Sequence, residues 1–201
     1  MTHHIDIDTL TLSHGNHSNR AAGTCLLEAV AWWAEEEHSD SPQCVSPVLA
    51  AFGRAWNDGM RSNEERATLK TYIPMLIGTA GNPKADERRS WMAMDWLIRV
   101  HAVAWLRLAG GDCAVHAATL AALPAILNRD LARQSQPVLG AAWSAAWSAA
   151  RSADWSAAWS AAWSADWSAD WSAAESALEP TVIELQASAH DLYRRMIEVR
   201  Q

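Results

Sequence analysis

Cys25 and His38 are the residue types in this sequence that suit nucleophilic chemistry. A helix start lowers the pKa of a thiol, and an imidazole can carry the proton away. The commoner role of a free cysteine is that of a small buried hydrophobe, and Cys25 and Cys44, both at the openings of helices, fit it. The eight histidines raise a second chemistry, metal binding: His3, His4, His14, His17 and His38 fall near Cys25 and Cys44, and His101 and His116 flank Cys113. Spacing argues against it. No two cysteines stand two to four apart, no His-x-x-x-His lies on a firm helix, and His14-Gly-Asn-His17 reads as a loop without nearby carboxylates. A serine nucleophile elbow, a glycine-rich phosphate loop and a Walker lysine are all missing. Glu28, Asp58 and Asp95 read as partly buried helix acids, with Arg54, Arg88, Arg89 and Arg99 available to neutralise them, and Glu35 to Glu37 as a solvated helix end. The expectation is therefore no catalytic residue, no metal and no cofactor, which weighs against an enzyme. The alternative is a small enzyme built on Cys25 and His38.

The elements that must position these residues are helical. Leu26, Leu27, Val30 and Trp33 predict a helix over roughly 24–38, and Ser46-Pro47 is an N-cap with a first-turn proline, opening a helix that Gly59 can close in a left-handed cap. Ser62 and Glu65 form a capping box for the next helix, which Pro74 bends or restarts. Asn82-Pro83 opens a helix over 84–109 whose apolar stripe includes Trp91, Met94, Leu97, Ile98, Trp105 and Leu108 and stops at Gly110. A further helical stretch from Asp112 to about Arg133 is expected to bend at Pro124. Ile5, Ile7, Leu10 and Leu12 alternate as a single strand would, though it would have no partner.

From Ala141 to Ala174 the chain becomes a tetrad repeat. Trp occupies its third position at Trp143, Trp147, Trp155, Trp159, Trp163, Trp167 and Trp171, Arg151 fills the missing slot, and Ser follows each of these residues. Ala is the best helix former, so residues 137–179 predict one long helix starting with Pro137 in its first turn and ending or kinking before Pro180. Four residues overshoot one turn by about 40°, so the indole row winds through roughly 280° while climbing about 42 Å. That winding excludes a long coiled-coil seam and disfavours a flat ice- or mineral-binding face. Indoles buried against the protein's other helices, twisted against a second copy, or offered to a partner all remain open. A final amphipathic helix is expected over 180–201, after an N-terminal extension (1–20), a helical domain (20–136) and the long helix (137–179).

Composition narrows the partners. The 201 residues carry 13 Trp against one Phe and two Tyr, so indole is selected over other aromatics. A formal net charge of −7 gives no basic excess for phosphates, and direct nucleic-acid binding is not expected. No apolar run reaches the roughly 18 to 20 residues of a membrane span, and the first 20 residues lack the pattern of a secretory signal. Three cysteines without framework spacing fit a reducing compartment, so the expected location is cytoplasmic.

The segments Cys25-Leu-Leu-Glu-Ala-Val-Ala31, Ser39-Asp-Ser-Pro-Gln-Cys-Val-Ser-Pro47, Phe52-Gly-Arg-Ala-Trp-Asn-Asp58, Ile73-Pro-Met-Leu-Ile-Gly78 and Met92-Ala-Met-Asp-Trp-Leu-Ile-Arg99 add a resemblance. With the tetrad tail ending in Pro180-Thr-Val-Ile-Glu, the chain resembles an uncharacterised family of small helical proteins of actinobacteria and their phages. The resemblance implies an intracellular setting, that of a mobile element included, and no catalytic role. The tail departs from that pattern toward Trp-Ser where relatives are richer in Ala and Arg, so a role for the indoles would be this chain's own. Together these readings lead to an all-α, non-enzymatic interaction or assembly protein. It would offer an acidic, Trp-bearing helix to a protein partner or to a second copy of itself, through Trp143, Trp147, Trp155, Trp159, Trp163, Trp167 and Trp171.

Overall fold

The computed structural model describes the backbone of residues 6–161 and 167–200, and the side chains of those residues outside 149–175. All regular structure in them is helical, so the protein is all-α. Helix α1 (Leu26–Trp33) is followed by α2 (Pro47–Gly59), α3 (Asn63–Ala67), a 3-10 turn (Thr68–Tyr72) and α4 (Ile73–Leu76). Helix α5 (Pro83–Trp96) passes through a π turn (Leu97–His101) into α6 (Ala102–Ala109), and α7 (Gly111–Ala121), α8 (Arg129–Ala161) and α9 (Trp167–Glu198) complete the order. Residues 6–12 hold no strand; Leu12 is fully buried, but the segment is tied down by Ser13 N–H donating to Thr24 O at 2.9 Å rather than by a ladder.

The chain divides into two compact units, one formed by the residues up to Ser90 together with those from Tyr193 onward, the other by Trp91–Leu192. In the first, α1 lies against α2 and α4, and Leu26, Leu27, Val30, Leu49, Leu69, Ile73 and Leu76 are buried. The last turns of α9 complete this core. The Tyr193 ring stacks on Phe52 at 5.5 Å and meets Tyr72 edge-on at 5.0 Å, and its hydroxyl donates to Leu49 O at 2.9 Å. A Cβ at Gly53 would stand 2.6 Å from that hydroxyl oxygen, so the helix carries glycine where the tyrosine crosses it. Arg89, buried on α5, holds the end of α9: Nε donates to Met196 O (3.0 Å), Nη2 to Val199 O (2.8 Å), and Nη1 to Thr79 O and Asp86 Oδ1 (2.9 Å each). A cation on the carbonyls of a helix C-terminus is favoured by the helix dipole.

In the second unit, Val103 and Leu106 of α6, Cys113, Ala117 and Leu120 of α7 and Ala142 of α8 form the buried core. Asp95 and Arg99 fasten the connection after α7: Asp95 Oδ1 accepts from Arg99 Nε (2.8 Å) and from Ile126 N–H (2.7 Å), while Arg99 Nη1 donates to Leu123 O (2.8 Å).

Several element ends differ from the sequence reading. α1 stops at Trp33 because Glu35 turns left-handed (φ 59°), letting Glu36 N–H reach back to Ala31 O. Gly59 is the last residue of α2 and not a left-handed cap. Arg66 does that work, donating to Asn57 O at 2.9 Å and to Met60 O at 2.6 Å. The stretch after α7 does not bend at Pro124; it leaves helix altogether and resumes at Arg129, where Asn128 caps the N–H groups of Asp130 and Leu131. With that cap in place α8 begins eight residues before Pro137, and α9 runs through Pro180 to Glu198. Continuity of the tetrad as one helix turns on residues 162–166, outside the described residues.

Candidate functional site

Glu28 gathers three segments around one carboxylate. As the third residue of α1 it reaches back to the helix start, where Oε2 accepts from Cys25 N–H at 2.8 Å, and the Cys25 sulfur receives the Glu28 N–H in return. This is a capping box with cysteine in the serine position. The other partners come from outside the helix. His17 N–H donates to Oε1 at 2.6 Å, His17 Nδ1 lies 2.8 Å from Oε2, and His38 Nε2 lies 3.6 Å from Oε1. The His38 Nε2 also stands 3.0 Å from His17 O. A carbonyl only accepts, so Nε2 carries the proton; Nδ1 of the same ring is buried without a hydrogen-bond partner. Burial pushes the Glu28 carboxyl up, but the N–H groups of Cys25 and His17 and the His17 ring outweigh it and hold it below the usual carboxylate range.

The same surroundings disarm the thiol. Burial, with the Glu28 negative charge beside it, pushes Cys25 up to about 12, so it is a protonated, buried sulfur at neutral pH. Cys44 is likewise pushed up to about 12 by burial and by the carboxylate of Glu36, to which its thiol is hydrogen-bonded. The structure thus brings Cys25 and His38 to one cluster around Glu28, with the thiol in its protonated form at neutral pH. Among the described residues no group of three or more His, Cys, Asp or Glu is arranged to hold a metal ion.

The loop His14-Gly-Asn-His17 is not remote from carboxylates, as its sequence suggested. Glu28 binds His17, and Asp58 Oδ1 accepts from Gly15 N–H at 2.8 Å. Burial raises the Asp58 carboxyl, while that N–H and the Asn57 amide more than offset it, so it too sits below its ordinary value. Neither acid uses an arginine as its main partner; Asp95 with Arg99 follows the expected ion-pair reading. Glu36, expected in a solvated end, accepts from Gln43 N–H (2.6 Å) and Cys44 N–H (2.8 Å) and anchors the loop before α2.

The indoles divide into described and undescribed. Trp143 and Trp147, four apart on α8, are 73% and 57% exposed, the most exposed large apolar side chains of that helix among the described residues. The side chains of Trp155, Trp159, Trp163, Trp167 and Trp171 lie outside the described residues. A second aromatic group went unread in the sequence. His101 in the π turn packs between Trp96 (5.3 Å) and Trp105 (6.2 Å), and Trp105 Nε1 donates to His101 Nε2 at 3.1 Å. Burial lowers the His101 pKa. The signal that could have revealed it is Trp-His-Trp at positions 96, 101 and 105: His101 and Trp105 stand four apart as α-helical neighbours do, while the step of five from Trp96 to His101 needs the wider turn.

No family model, curated protein or solved structure matches the chain. No helix among the described residues is long and apolar enough to cross a membrane.

Proposed function

We propose that the protein is a non-enzymatic helical interaction or assembly protein that presents an acidic, tryptophan-bearing helix to a protein partner or a second copy of itself. The observation that supports this is the pair Trp143 and Trp147, both mostly exposed on a helix of which another strip packs into the unit's core. An exposed indole is costly to leave in water and is an enriched anchor of protein interfaces. Residues 137–201 carry eight acids against four Arg, so the presented surface favours a partner with basic or neutral character. The thiol chemistry of Cys25 and Cys44 supports the same side of the choice, since both are held protonated. Cytoplasmic residence and kinship with actinobacterial and phage helical proteins belong to this reading as proposals, supported by the three unpaired cysteines and the quoted segments.

The test pairs binding with folding. Affinity capture from extract with the full chain is compared with the Trp143→Ala/Trp147→Ala and Trp155→Ala/Trp159→Ala/Trp163→Ala variants, with circular dichroism on each. Loss of captured protein, or of self-association, with helix content unchanged is the expected result. Unchanged capture and association by folded variants overturns the reading.

A further inference from the structure

Residues 134–150 carry no ionisable side chain, an unusual neutral interval in a chain of net charge −7. Along α8 this interval has three strips. Val138, Leu139, Ala142, Ala145 and Ala146 face the core made with α6 and α7. At about 100° per residue, Trp143 and Trp147 stand roughly 120° to one side of that strip. Ala141, Ser144 and Ser148 stand roughly 120° to the other. There, with Gly110, Asp112 and His116, they line an open groove of about 770 Å³. A ridge of indole and a groove of small side chains therefore flank the outward face of one helix.

From this we infer that the outward face of α8 is a self-pairing surface: a second copy of this chain docks in the parallel sense, each copy's Trp143–Trp147 ridge lying in the other's Ala141–Ser144–Ser148 groove. The inference rests on the reading above and names its partner. Symmetry fixes the sense. A two-fold axis running along the helices exchanges left flank for right, so ridge meets groove on both sides. A two-fold axis across the helices keeps each flank in place, setting indole against indole and leaving both grooves empty.

Area and charge favour a second copy as the occupant. The exposed parts of the two indoles leave about 300 Å² per copy. With the groove walls they cover, a pair buries roughly 1,200 Å² in all, just above the ~1,000 Å² that a specific interface needs. Copies that repel elsewhere through their net negative charge meet here across α8 strips that carry no charge, the ionisable groups of the groove being Asp112 and His116 on its α7 wall. The serine hydroxyls of the groove offer acceptors for the indole N–H groups. Ridges formed by residues four apart cross near −50°, so contact is confined to about two turns and the flanking Arg133 diverges.

The experiment is sedimentation velocity of the full chain over a hundredfold concentration range, beside Trp143→Ala/Trp147→Ala and Gly140→Cys. Gly140 is exposed, has open space where a Cβ would stand, and lies on the outward face where identical residues meet in a parallel pair. The expected result is a dimer that forms with concentration, weakens at least tenfold in the Trp variant with circular dichroism unchanged, and is trapped by a Gly140→Cys disulfide that the parent chain does not form. A dimer without that cross-link overturns the parallel arrangement. A chain monomeric throughout the range overturns self-pairing altogether. In that case the broader reading still stands if acrylamide quenches the emission lost on changing Trp143 and Trp147 to Phe, and falls if that emission is protected in the monomer.

Discussion

His17 Nδ1 lies 2.8 Å from Glu28 Oε2, so an imidazole from the loop before α1 closes on a carboxylate that already caps the helix from inside. One buried acid thereby joins the loop, the helix start and, through His38, the segment after the helix.

Replacing Glu28 with Gln removes charge-assisted bonds from Cys25 N–H, His17 N–H and the His17 ring, and a loss of ~2–4 kcal/mol is expected in urea unfolding at pH 7. The pH dependence has a fixed sign. A carboxyl held below its unfolded value contributes stability above about pH 4.3, its ordinary range, and loses it as pH falls through the lower folded value. The Glu28→Gln protein should therefore show a flatter acid limb between pH 5 and 3; an unchanged slope would remove Glu28 from the account.

Iodoacetamide at pH 8 should leave the native chain almost unlabelled. Cys25 and Cys44 are each pushed up to about 12, and Cys113 is buried. Three labels in denaturant and none within the same time in buffer, read by mass spectrometry, is the expected pair of spectra. Rapid native labelling of Cys25 would revive a catalytic thiol.

Two backbone positions should respond with opposite signs. At Gly23 (φ 146°) a Cβ would stand 2.3 Å from the His17 ring, so Gly23→Ala should cost ~2 kcal/mol or more and loosen the Glu28 cluster. At Glu35 (φ 59°) the chain holds a left-handed conformation with the wrong residue type, and Glu35→Gly should raise stability by ~0.5–1 kcal/mol. Thermal melts of both variants check the pair.

Arg89→Met removes the guanidinium from the carbonyls of Met196 and Val199 and from the carboxylate of Asp86, which keeps the Ser46 hydroxyl alone, at a cost of ~3–5 kcal/mol. Arg89→Lys should rescue only part of it, because one ammonium cannot span acceptors set out for a planar fork. Chemical denaturation of the three proteins gives the order, and equal stability of the Lys and Arg forms would contradict the fork argument.

What could be read in the sequence was local punctuation. Ser46-Pro47, Asn82-Pro83 and the stop at Gly110 each act through neighbours a few residues away, and each marks a helix end in the structure. Ser62 accepts from Glu65 N–H as a box requires, but the Glu65 carboxylate turns to Arg61, a competitor the motif does not show. The site escaped for a different reason. Its carboxylate, two imidazoles and the orphaned His38 nitrogen come from three segments whose approach depends on tertiary packing. Cysteine is also an unfamiliar capping residue. Pro137 misled as a helix start, and the helix does not end at Pro180, because a proline removes one hydrogen bond from a helix, while a good cap at Asn128 or docking of Tyr193 and Met196 adds several favourable contacts.

The π turn at Leu97–His101 carries one residue more than an α turn would, with Ala102 N–H bonded to Leu97 O. Deleting a single residue there would let the backbone ladder close in ordinary geometry and leave the helix unbroken, yet every side chain beyond it would rotate by about 100° relative to Asp95. Val103 and Leu106 would swing out of the core that α7 and α8 share, and His101 would leave its place between the two indoles. That extra residue works as a phase setting. An unchanged helix count would conceal the loss, so within this stretch chain length is as strong a constraint as residue identity.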